Sequence, residues 1–363
     1  MCLNLSQPSS DAPFAAYSGN TDVSPGFMRV RALAFRFSLG IMAHMLDPTT
    51  VHVPVLPAEI LELGRPKAGQ LWIDGTAGGG GHATLLQERL QEGGRLLAVD
   101  RDPAAATRLE TLLGPSAIVA NASYDSIPEL LQQYSLPSAD GILLDLGLSS
   151  DQLADRERGF SFQFDGPLDM RFDPSSGEPA WEWLARIDEQ TLADTIYRYG
   201  EERFSRRIAH RIVETRRAEP IRTASQLREL IYRSVPHPRK VGGGKKSAGK
   251  KRGKKSAASP RGGFRSKSID PATRTFQALR IAVNDELAIL ERALARLPDC
   301  LAPDGALLII SFHSLEDRLV KYAFRGDDRL QIVTRRPIQA GEAEVASNPR
   351  SRSAKLRVAR RAS

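Results

Sequence analysis

The sequence has few cysteines, no clustered metal ligands and no long apolar run. Its two cysteines, Cys2 and Cys300, cannot build a disulfide framework or a zinc site by themselves. The six histidines are scattered without the spacing of a metal-binding motif. No run of about 18 apolar residues is present, so a membrane-spanning helix is not expected. These absences predict a protein of the reducing cytoplasm without a metal or a membrane partner.

Positive charge is concentrated in two segments. Residues 239–267 contain 12 Lys or Arg, residues 350–363 contain six, and neither segment contains an acid. Because the whole chain carries a net charge of +8, removing these 18 positive charges leaves −10 for the rest. A basic block either binds a polyanion such as RNA or is a solvated, disordered segment, and both interpretations stay open here.

An apolar strand that runs into a glycine-rich turn is the strongest local signal. Residues 71–74 end in an acid, and five glycines follow within the seven positions 75–81. Gly78, Gly80 and Ala83 fit the G-x-G-x-x-G/A spacing of a nucleotide-binding turn that opens a helix. Such a turn offers bare main chain and unpaired helix N–H groups to a ligand. Turns of this kind also occur for packing alone, so more support is needed.

Two acids indicate which ligand this turn would take. Asp100 ends the next predicted strand 20 residues after Gly80, where nucleotide folds have a carboxylate for ribose hydroxyls. Asp74 lies directly at the turn, where it would repel a pyrophosphate but suits a cation. S-adenosylmethionine (SAM) has an adenosine, a sulfonium and an amino group but no phosphate. The pair therefore favours SAM over NAD.

Apolar strands alternate with helices along much of the chain. The predicted strands are 71–74, 95–99, 117–120, 141–145 and 306–310, with two more near 330–334 and 355–359. The predicted helices are 57–63, 82–91, 103–113, 125–134, 188–198, 201–217, 223–234 and one long amphipathic helix, 271–297. The alternation predicts an α/β fold with a parallel sheet covered on both faces.

The pattern also predicts five parts. They are a disordered leader (1–48), a first part of the α/β core (49–154), an inserted helical substrate-recognition domain (155–238), a basic disordered insertion (239–268) and a second part of the core (269–363). The leader has some features of a targeting peptide. The favoured interpretation is a disordered leader or a start codon assigned too far upstream, with Met42 or Met45 as alternatives.

Eight motifs follow one another in order along the chain. They are Asp-Gly-Thr-x-Gly-x-Gly-Gly-His (74–82), Ala-Val-Asp-Arg-Asp (98–102), Leu-Leu-Asp-Leu-Gly-x-Ser-Ser-x-Gln (143–152), Arg-Gly-Phe-Ser-Phe (158–162), Asp-Gly-Pro-Leu-Asp-Met-Arg (165–171), Tyr-Gly-Glu-Glu-Arg (199–203), Pro-Ala-Thr-Arg-Thr-Phe-Gln-Ala-Leu-Arg (271–280) and Ser-Phe-His-Ser-Leu-Glu-Asp-Arg (311–318). Together they resemble the motifs of the RsmH or MraW family, bacterial methyltransferases that act on 16S ribosomal RNA. The resemblance covers roughly His52 to Arg361 and leaves out the leader and most of the 239–267 tract.

This resemblance implies a Rossmann-like, class I SAM-dependent methyltransferase core with an inserted small helical domain. It implies methylation of the N4 atom of a decoding-centre (P-site) cytidine of 16S rRNA within the small ribosomal subunit. By motif, the turn residues match the loop at the methionine end of SAM, Asp100 the ribose-binding acid, and Tyr124 an aromatic position at the adenine that is more usually Phe. The implied cofactor contacts are Gly80, Gly81, His82, Asp100, Tyr124, Asp145 and Gln152.

Structural alternatives exist for several of these residues. His82 is also a plausible helix start, Tyr124 a core residue and Asp145 a loop contact.

Methyl transfer depends mainly on positioning, and the target base must leave its stack. The Asp/Asn/Ser-Pro-Pro-Tyr/Phe motif of many amino methyltransferases is absent after the fourth strand, so no catalytic residue is assigned. Asp145, Ser149, Ser150 and His313 are candidates by position only.

Six arginines of the predicted insertion form either an RNA-binding surface or a solvated helix face: Arg203, Arg206, Arg207, Arg211, Arg216 and Arg217. Two other functions compete with methyl transfer. A NAD-dependent dehydrogenase would need room for a pyrophosphate. A non-catalytic ribosome assembly factor would need only the basic segments.

Overall fold

The structure is a computed structural model that describes residues 53–236 and 270–363. The predicted leader (1–48) and the whole of the predicted basic insertion (239–268) lie outside the described residues. Across the two described ranges, the helices are too short or too polar to cross a membrane.

One sheet of seven strands organises the described residues. Its spatial order is β3-β2-β1-β4-β5-β7-β6, and the first five strands are parallel. β7 runs antiparallel to both β5 and β6. The strands are β1 (Leu71–Asp74), β2 (Arg95–Asp100), β3 (Ala117–Asn121), β4 (Ala139–Asp145), β5 (Leu301–Ser311), β6 (Leu330–Ile332) and β7 (Lys355–Arg361). The predicted α/β class is confirmed, and β5 begins five residues before its predicted start.

Helices cover both faces of this sheet and form a second, helical part. They are α1 (Pro57–Gly64), α2 (Gly81–Leu90), α3 (Pro103–Leu113), α4 (Ile127–Gln133), α5 (Ser150–Ala154), α6 (Ala180–Arg186), α7 (Glu189–Gly200), α8 (Ser205–Ala218), α9 (Ala224–Ser234), α10 (Pro271–Asn284), α11 (Glu286–Cys300), α12 (Ser314–Gly326) and α13 (Glu342–Ser347). Asp188 and Thr223 accept N-cap hydrogen bonds at the starts of α7 and α9.

Side chains of each strand alternate between the two faces of the sheet. Ile73 of β1 packs with Leu290 of α11 on one face, whereas its neighbour Trp72 packs with Leu86 of α2 on the other. Each fully buried Leu or Ile contributes roughly 1.5–3 kcal/mol of hydrophobic stabilisation. Helices packed on both faces therefore fix the position of the sheet and of its carboxyl edge.

A separate hydrophobic cluster holds the helical part together. It combines residues of α6, α7, α8 and α9 with the loop that contains Phe160 and Met170. Helix α10 also contributes Phe276 and Leu279 to this cluster. The domain division predicted from the sequence stays a prediction. The packing of α10 favours moving its last boundary from 268/269 to Asp285.

The prediction of one helix over 271–297 is wrong, because the helix breaks at Asp285. This residue has left-handed backbone angles (φ 53°) between α10 and α11. The side chain of Asn284 explains the break, since its Nδ2 group donates to the carbonyl oxygens of Met170 (2.7 Å) and Arg280 (2.9 Å). The apolar periodicity continues across the break and gave no sign of it.

The predicted boundary between helices 188–198 and 201–217 is also displaced. Helix α7 continues to Gly200, and α8 begins only at Ser205. The turn between them forms because Glu201 has left-handed angles (φ 50°) and Glu202 accepts a 2.8 Å bond from the N–H of Phe204. Gly200 is needed where α10 approaches, since a Cβ atom there would lie 2.4 Å from the carbonyl oxygen of Arg274.

Candidate functional site

The glycine-rich turn after β1 is tied to both neighbouring strands. The N–H of Gly75 donates to Leu143 of β4, and the N–H of Ala77 donates to Val99 of β2, both at 2.9 Å. Gly80 has left-handed angles (φ 83°), and a Cβ atom there would lie 2.3 Å from a Leu112 methyl group. The turn thus needs glycine for its backbone conformation and for close packing against α3.

A cavity opens beside this turn, at the carboxyl ends of the parallel strands. Ligands of open parallel sheets bind at this edge. Its wall includes Gly75, Thr76 and Gly78 of the turn. Four of the seven predicted cofactor contacts also line it: Asp100, Tyr124, Asp145 and Gln152.

Asp100 is held in a fixed position at the end of β2. Its Oδ2 atom accepts from the N–H of Gly78 (2.7 Å), and its Oδ1 atom accepts from the N–H of Asp102 (2.8 Å). Burial raises the pKa of its carboxyl group to about 6, against the lowering effect of these two N–H groups. At neutral pH the group is mostly ionised and can accept bonds from hydroxyl groups.

Gln152 is positioned by a capping box at the start of α5. Its side-chain oxygen accepts from the N–H of Ser149 (3.0 Å), and its own N–H donates to the Ser149 hydroxyl (3.1 Å). Its amide nitrogen lies 3.5 Å from Asp102 Oδ2.

Tyr124 also lines the cavity. Burial raises the pKa of its phenol group well above the usual value, so the side chain is neutral.

Asp145 presents a carboxylate oxygen that has no fixed partner. Its Oδ1 atom is buried and makes no hydrogen bond within the described ranges. Its backbone N–H donates to the Thr76 hydroxyl at 2.6 Å, which fixes the strand end. Burial raises the pKa of this carboxyl group, against the lowering effects of His82 and Arg350. A buried acceptor without a donor is costly, and a cationic or N–H ligand would satisfy it.

The other three predicted contacts lie elsewhere. Within residues 53–236 and 270–363, Gly80, Gly81 and His82 are not part of the cavity wall. His82 is 4% exposed; its Nε2 atom lies 2.9 Å from the Val55 carbonyl oxygen, and its Nδ1 atom lies 3.7 Å from Asp145 Oδ2. His82 therefore lies beside Asp145 without lining the cavity. Its role as a direct cofactor contact, like that of the two glycines, stays a prediction.

Four further cavity residues were not found by sequence reasoning: Phe172, Glu286, Glu316 and Arg350. They come from distant segments that only the tertiary fold brings together. Glu316 had a usable signal, since it lies at capping-box distance after His313. Glu286 had none, because an acid beside the apolar face of an amphipathic helix is ordinary.

Glu286 and Glu316 are buried carboxylates with different partners. Both oxygens of Glu286 accept bonds from Arg280, at 2.7 and 2.8 Å. Glu316 Oε2 accepts from the N–H groups of Phe312 (2.9 Å) and His313 (3.3 Å). Burial alone would raise the pKa of Glu316, but the His313 imidazole, Arg280 and the Phe312 N–H together hold it below its usual value.

Glu286, His313 and Glu316 bring three possible metal-ligand atoms within 4.8 Å of one another. The Arg280 guanidinium, however, already pairs with both oxygens of Glu286. A metal ion at this point would face that positive charge. The cluster is thus better described as carboxylates balanced by Arg280.

The cavity fits SAM better than a dinucleotide. Asp145 puts a carboxyl group in the cavity wall beside the turn, which suits the cationic sulfonium and amino groups of SAM and would repel the pyrophosphate of NAD. Asp74 is 1% exposed and, within the described residues, is not part of this wall. Asp100 and Tyr124 line the same cavity, and their contacts with the ribose and the adenine stay predictions. The fold and this site define a SAM-dependent methyltransferase with a Rossmann-like core.

Comparison with known proteins gives the family. The model of the MraW methylase family matches residues 49–362. A relative from Rhodopirellula baltica, named ribosomal RNA small subunit methyltransferase H, is 48% identical over 324 residues, which are 86% of this chain and 92% of the relative. A relative of the same name from Deinococcus radiodurans is 47% identical, with 87% and 91% of the two chains covered. The chain belongs to the MraW methylase family.

Solved structures are more distant. The crystal structure of an rRNA methylase from Streptococcus thermophilus has a TM-score of 0.38 and 9% identity, and the alignment covers 87% of this chain and all of that one. This similarity is too low to add to the argument. Family membership does exclude the NAD-dependent dehydrogenase that the glycine turn alone left open.

Proposed function

We propose that this chain transfers the methyl group of SAM to the exocyclic N4 atom of a decoding-centre (P-site) cytidine of 16S rRNA, within the small ribosomal subunit. The relatives at 48% and 47% identity are named as small-subunit rRNA methyltransferases, and both are covered over more than nine-tenths of their length. The ordered motifs add the cytidine and its N4 atom through their resemblance to the family. The enzyme would act in the cytoplasm, where ribosomal subunits are assembled.

The Oδ1 atom of Asp145 is the single observation of the structure that carries the cofactor part of this proposal. Asp145 lines the cavity at the end of β4, and its buried Oδ1 atom, which has no hydrogen-bond donor among the described residues, is an acceptor for a cation or an amine. When bound, SAM would supply an activated methyl group. The chain would hold its ribose with Asp100, its adenine beside Tyr124 and its cationic end near Asp145, with Gln152 at the rim.

The arginine-rich outer face of α8 supports an RNA substrate. Five of the six predicted arginines are exposed there, while Arg216 turns inward and donates to the Leu184 carbonyl oxygen. Arg203 and Arg207 also lie over the Phe204 ring, at 4.5 and 6.0 Å from its centre. Guanidinium groups without strong ion pairs are available for phosphates.

This arginine face begins close to the cavity. Glu201, in the turn before α8, accepts a 2.8 Å bond from the hydroxyl of Ser314 at the start of α12. Two residues further along α12, Glu316 lines the cavity. An RNA strand held along α8 would therefore reach the cavity with a base that has been turned out of its stack.

The test is methyl transfer from tritiated SAM to small ribosomal subunits from a strain that lacks the protein. Nucleoside analysis of the extracted rRNA should show the label in N4-methylcytidine. Deproteinised 16S rRNA, tested in parallel, distinguishes free RNA from the assembled subunit as the substrate. Label in another nucleoside would contradict the proposed target. SAM binding without any transfer would favour a non-catalytic assembly role.

A further inference from the structure

We infer that Glu316 is a catalytic residue, the proton acceptor for the exocyclic amine of the target base. This inference rests on the proposed function, because it assigns a role in transfer to an amine. In the transfer, the lone pair of N4 forms the new N–C bond while the S–C bond breaks and its electron pair stays on sulfur. One N4 proton then passes to the Glu316 carboxylate, and later to water.

The reaction needs an acceptor at this point. The lone pair of a cytosine amine is delocalised into the ring, so the nitrogen must rehybridise as it attacks. A carboxylate that accepts its N–H bond assists this change and removes the proton from the cationic product. Among the described residues that line the cavity, the carboxylates are Asp100, Asp145, Glu286 and Glu316.

Partners and position eliminate two of these carboxylates. Asp100 lies at the end of β2, separated from the end of β5 by β1 and β4, or roughly 14 Å at the usual strand spacing. That is the ribose end of the cavity. Glu286 accepts from the Arg280 guanidinium through both oxygens, whereas the partners of Glu316 are two backbone N–H groups and the His313 ring. A proton on Glu286 would leave the charge of Arg280 without compensation, and Asp100 lies too far from β5.

The two remaining carboxylates, Asp145 and Glu316, have different positions, and we assign them different roles. Asp145 ends β4 beside the glycine turn and keeps a free Oδ1 atom for the cationic end of SAM. Glu316 lies on the far side of Asp145, just after β5 in the sheet order. Because Glu316 lies on the β5 side of Asp145, a base that enters the cavity from that side would meet Glu316 first.

Glu316 is held firmly enough to act in this way. Its side chain is 3% exposed, and its Oε2 atom accepts from the backbone N–H groups of Phe312 and His313, just before α12. Its Oε1 atom lies 3.1 Å from His313 Nε2. These contacts fix the carboxylate in the cavity wall before substrate arrives.

The test compares Glu316→Gln with the wild-type full-length protein on small subunits. The amide oxygen of Gln can still accept the two backbone N–H groups, but it cannot take a proton. We expect the single-turnover rate at saturating SAM to fall roughly 100-fold, with the dissociation constant for SAM and the unfolding temperature nearly unchanged. Asp317→Asn is the matched control, since Asp317 follows in the same helical turn but pairs with Arg357 (2.7 Å) and Lys355 (3.3 Å). It should keep the wild-type rate.

A second variant distinguishes the loss of a proton acceptor from a folding defect. Glu316→Asp keeps the charge, and we expect it to recover part of the rate that Glu316→Gln loses. Equal rates in the two variants would overturn the inference, as would a loss of SAM affinity that accounts for the slower transfer. A wild-type rate that falls with EDTA and returns with Zn²⁺ would overturn it too, because Glu316 would then be a metal ligand. If the wild-type protein transfers no methyl group to the subunit, the proposed function fails first. A fully active Glu316→Gln variant overturns this inference alone.

Discussion

Asp100 Oδ2 accepts a 2.7 Å hydrogen bond from the backbone N–H of Gly78, so the acid at the end of β2 holds the glycine turn after β1 in place. Gly78 has left-handed backbone angles (φ 48°), and its nearest non-adjacent neighbours include the Asp100 carboxylate. The same side chain lines the cavity in which we propose that SAM binds. One carboxylate thus both shapes the glycine turn and forms part of the cavity wall.

Replacing Asp100 should therefore weaken SAM binding more than folding. In Asp100→Ala, the ribose hydroxyls lose a charged acceptor worth about 1.5–3 kcal/mol, which corresponds to roughly a 10- to 100-fold rise in the dissociation constant. Isothermal titration calorimetry measures this rise. Asp140→Ala is the control, because Asp140 accepts from the N–H of Leu71 (2.9 Å) at the opposite end of the sheet. Equal losses of affinity in both variants would count against a ribose contact.

The buried carboxyl group of Asp74 should make stability depend on pH. Burial raises its pKa to about 7, against the effects of His82 and the Thr76 N–H. The folded state then binds a proton that the unfolded state has already lost. The stabilisation that comes from this proton is complete below about pH 4 and is lost as the pH rises to about 7. The difference in unfolding free energy between Asp74→Asn and wild type should therefore shift in favour of the variant by on the order of 2–3 kcal/mol from pH 5 to pH 8.

Urea unfolding at both pH values measures this difference. Glu62→Gln, which removes an exposed carboxyl group from α1, serves as the control and should follow the wild-type pH dependence. Identical pH dependence in Asp74→Asn and wild type would show that Asp74 does not hold the extra proton.

The pair of Arg280 and Glu286 should be strongly coupled. Its side chains are 14% and 9% exposed, and removing one partner leaves a charge in the cavity wall without compensation. We expect Arg280→Leu to lower the unfolding free energy by about 3–5 kcal/mol. The double variant with Glu286→Gln should lose clearly less than the two single losses combined.

An exposed ion pair supplies the matched comparison. Arg233 and Glu229 of α9 lie 3.0 Å apart, with side chains 71% and 59% exposed. Arg233→Leu should change stability by less than about 1 kcal/mol. Simple additivity of the Arg280 and Glu286 variants in the denaturant cycle would mean that the buried pair is not coupled.

The arginine face of α8 should contribute to subunit binding through charge. Arg206→Ala combined with Arg217→Ala removes two exposed guanidinium groups far from the cofactor residues. We expect weaker binding to the small subunit and a salt slope smaller by roughly 1 for each lost phosphate contact, with SAM affinity unchanged. Filter binding over a range of salt concentrations measures this slope. Lys67→Ala, at the amino edge of the sheet, should have no effect.

Sequence patterns could predict what is local. Strand-end acids such as Asp100 and Asp145 follow directly from apolar runs, and the open carboxyl edge of a parallel sheet brings them together. The same patterns could not predict that Glu286 and Phe172 would join them, because these residues reach the cavity only through tertiary packing. The helix break at Asp285 was missed for a related reason. Its cause is the Asn284 side chain, which bonds to a segment more than 100 residues earlier.

That break also has a mechanical consequence. Asn284 ends a helix that packs within the helical cluster, and Glu286 begins a helix that packs on the sheet and lines the cavity. Asn284 also accepts bonds from the Phe172 N–H (2.7 Å) and from the Arg101 side chain (2.9 Å). A single asparagine at the break between the two helices therefore joins the helical part, whose outer face carries the arginines, to the wall of the cavity.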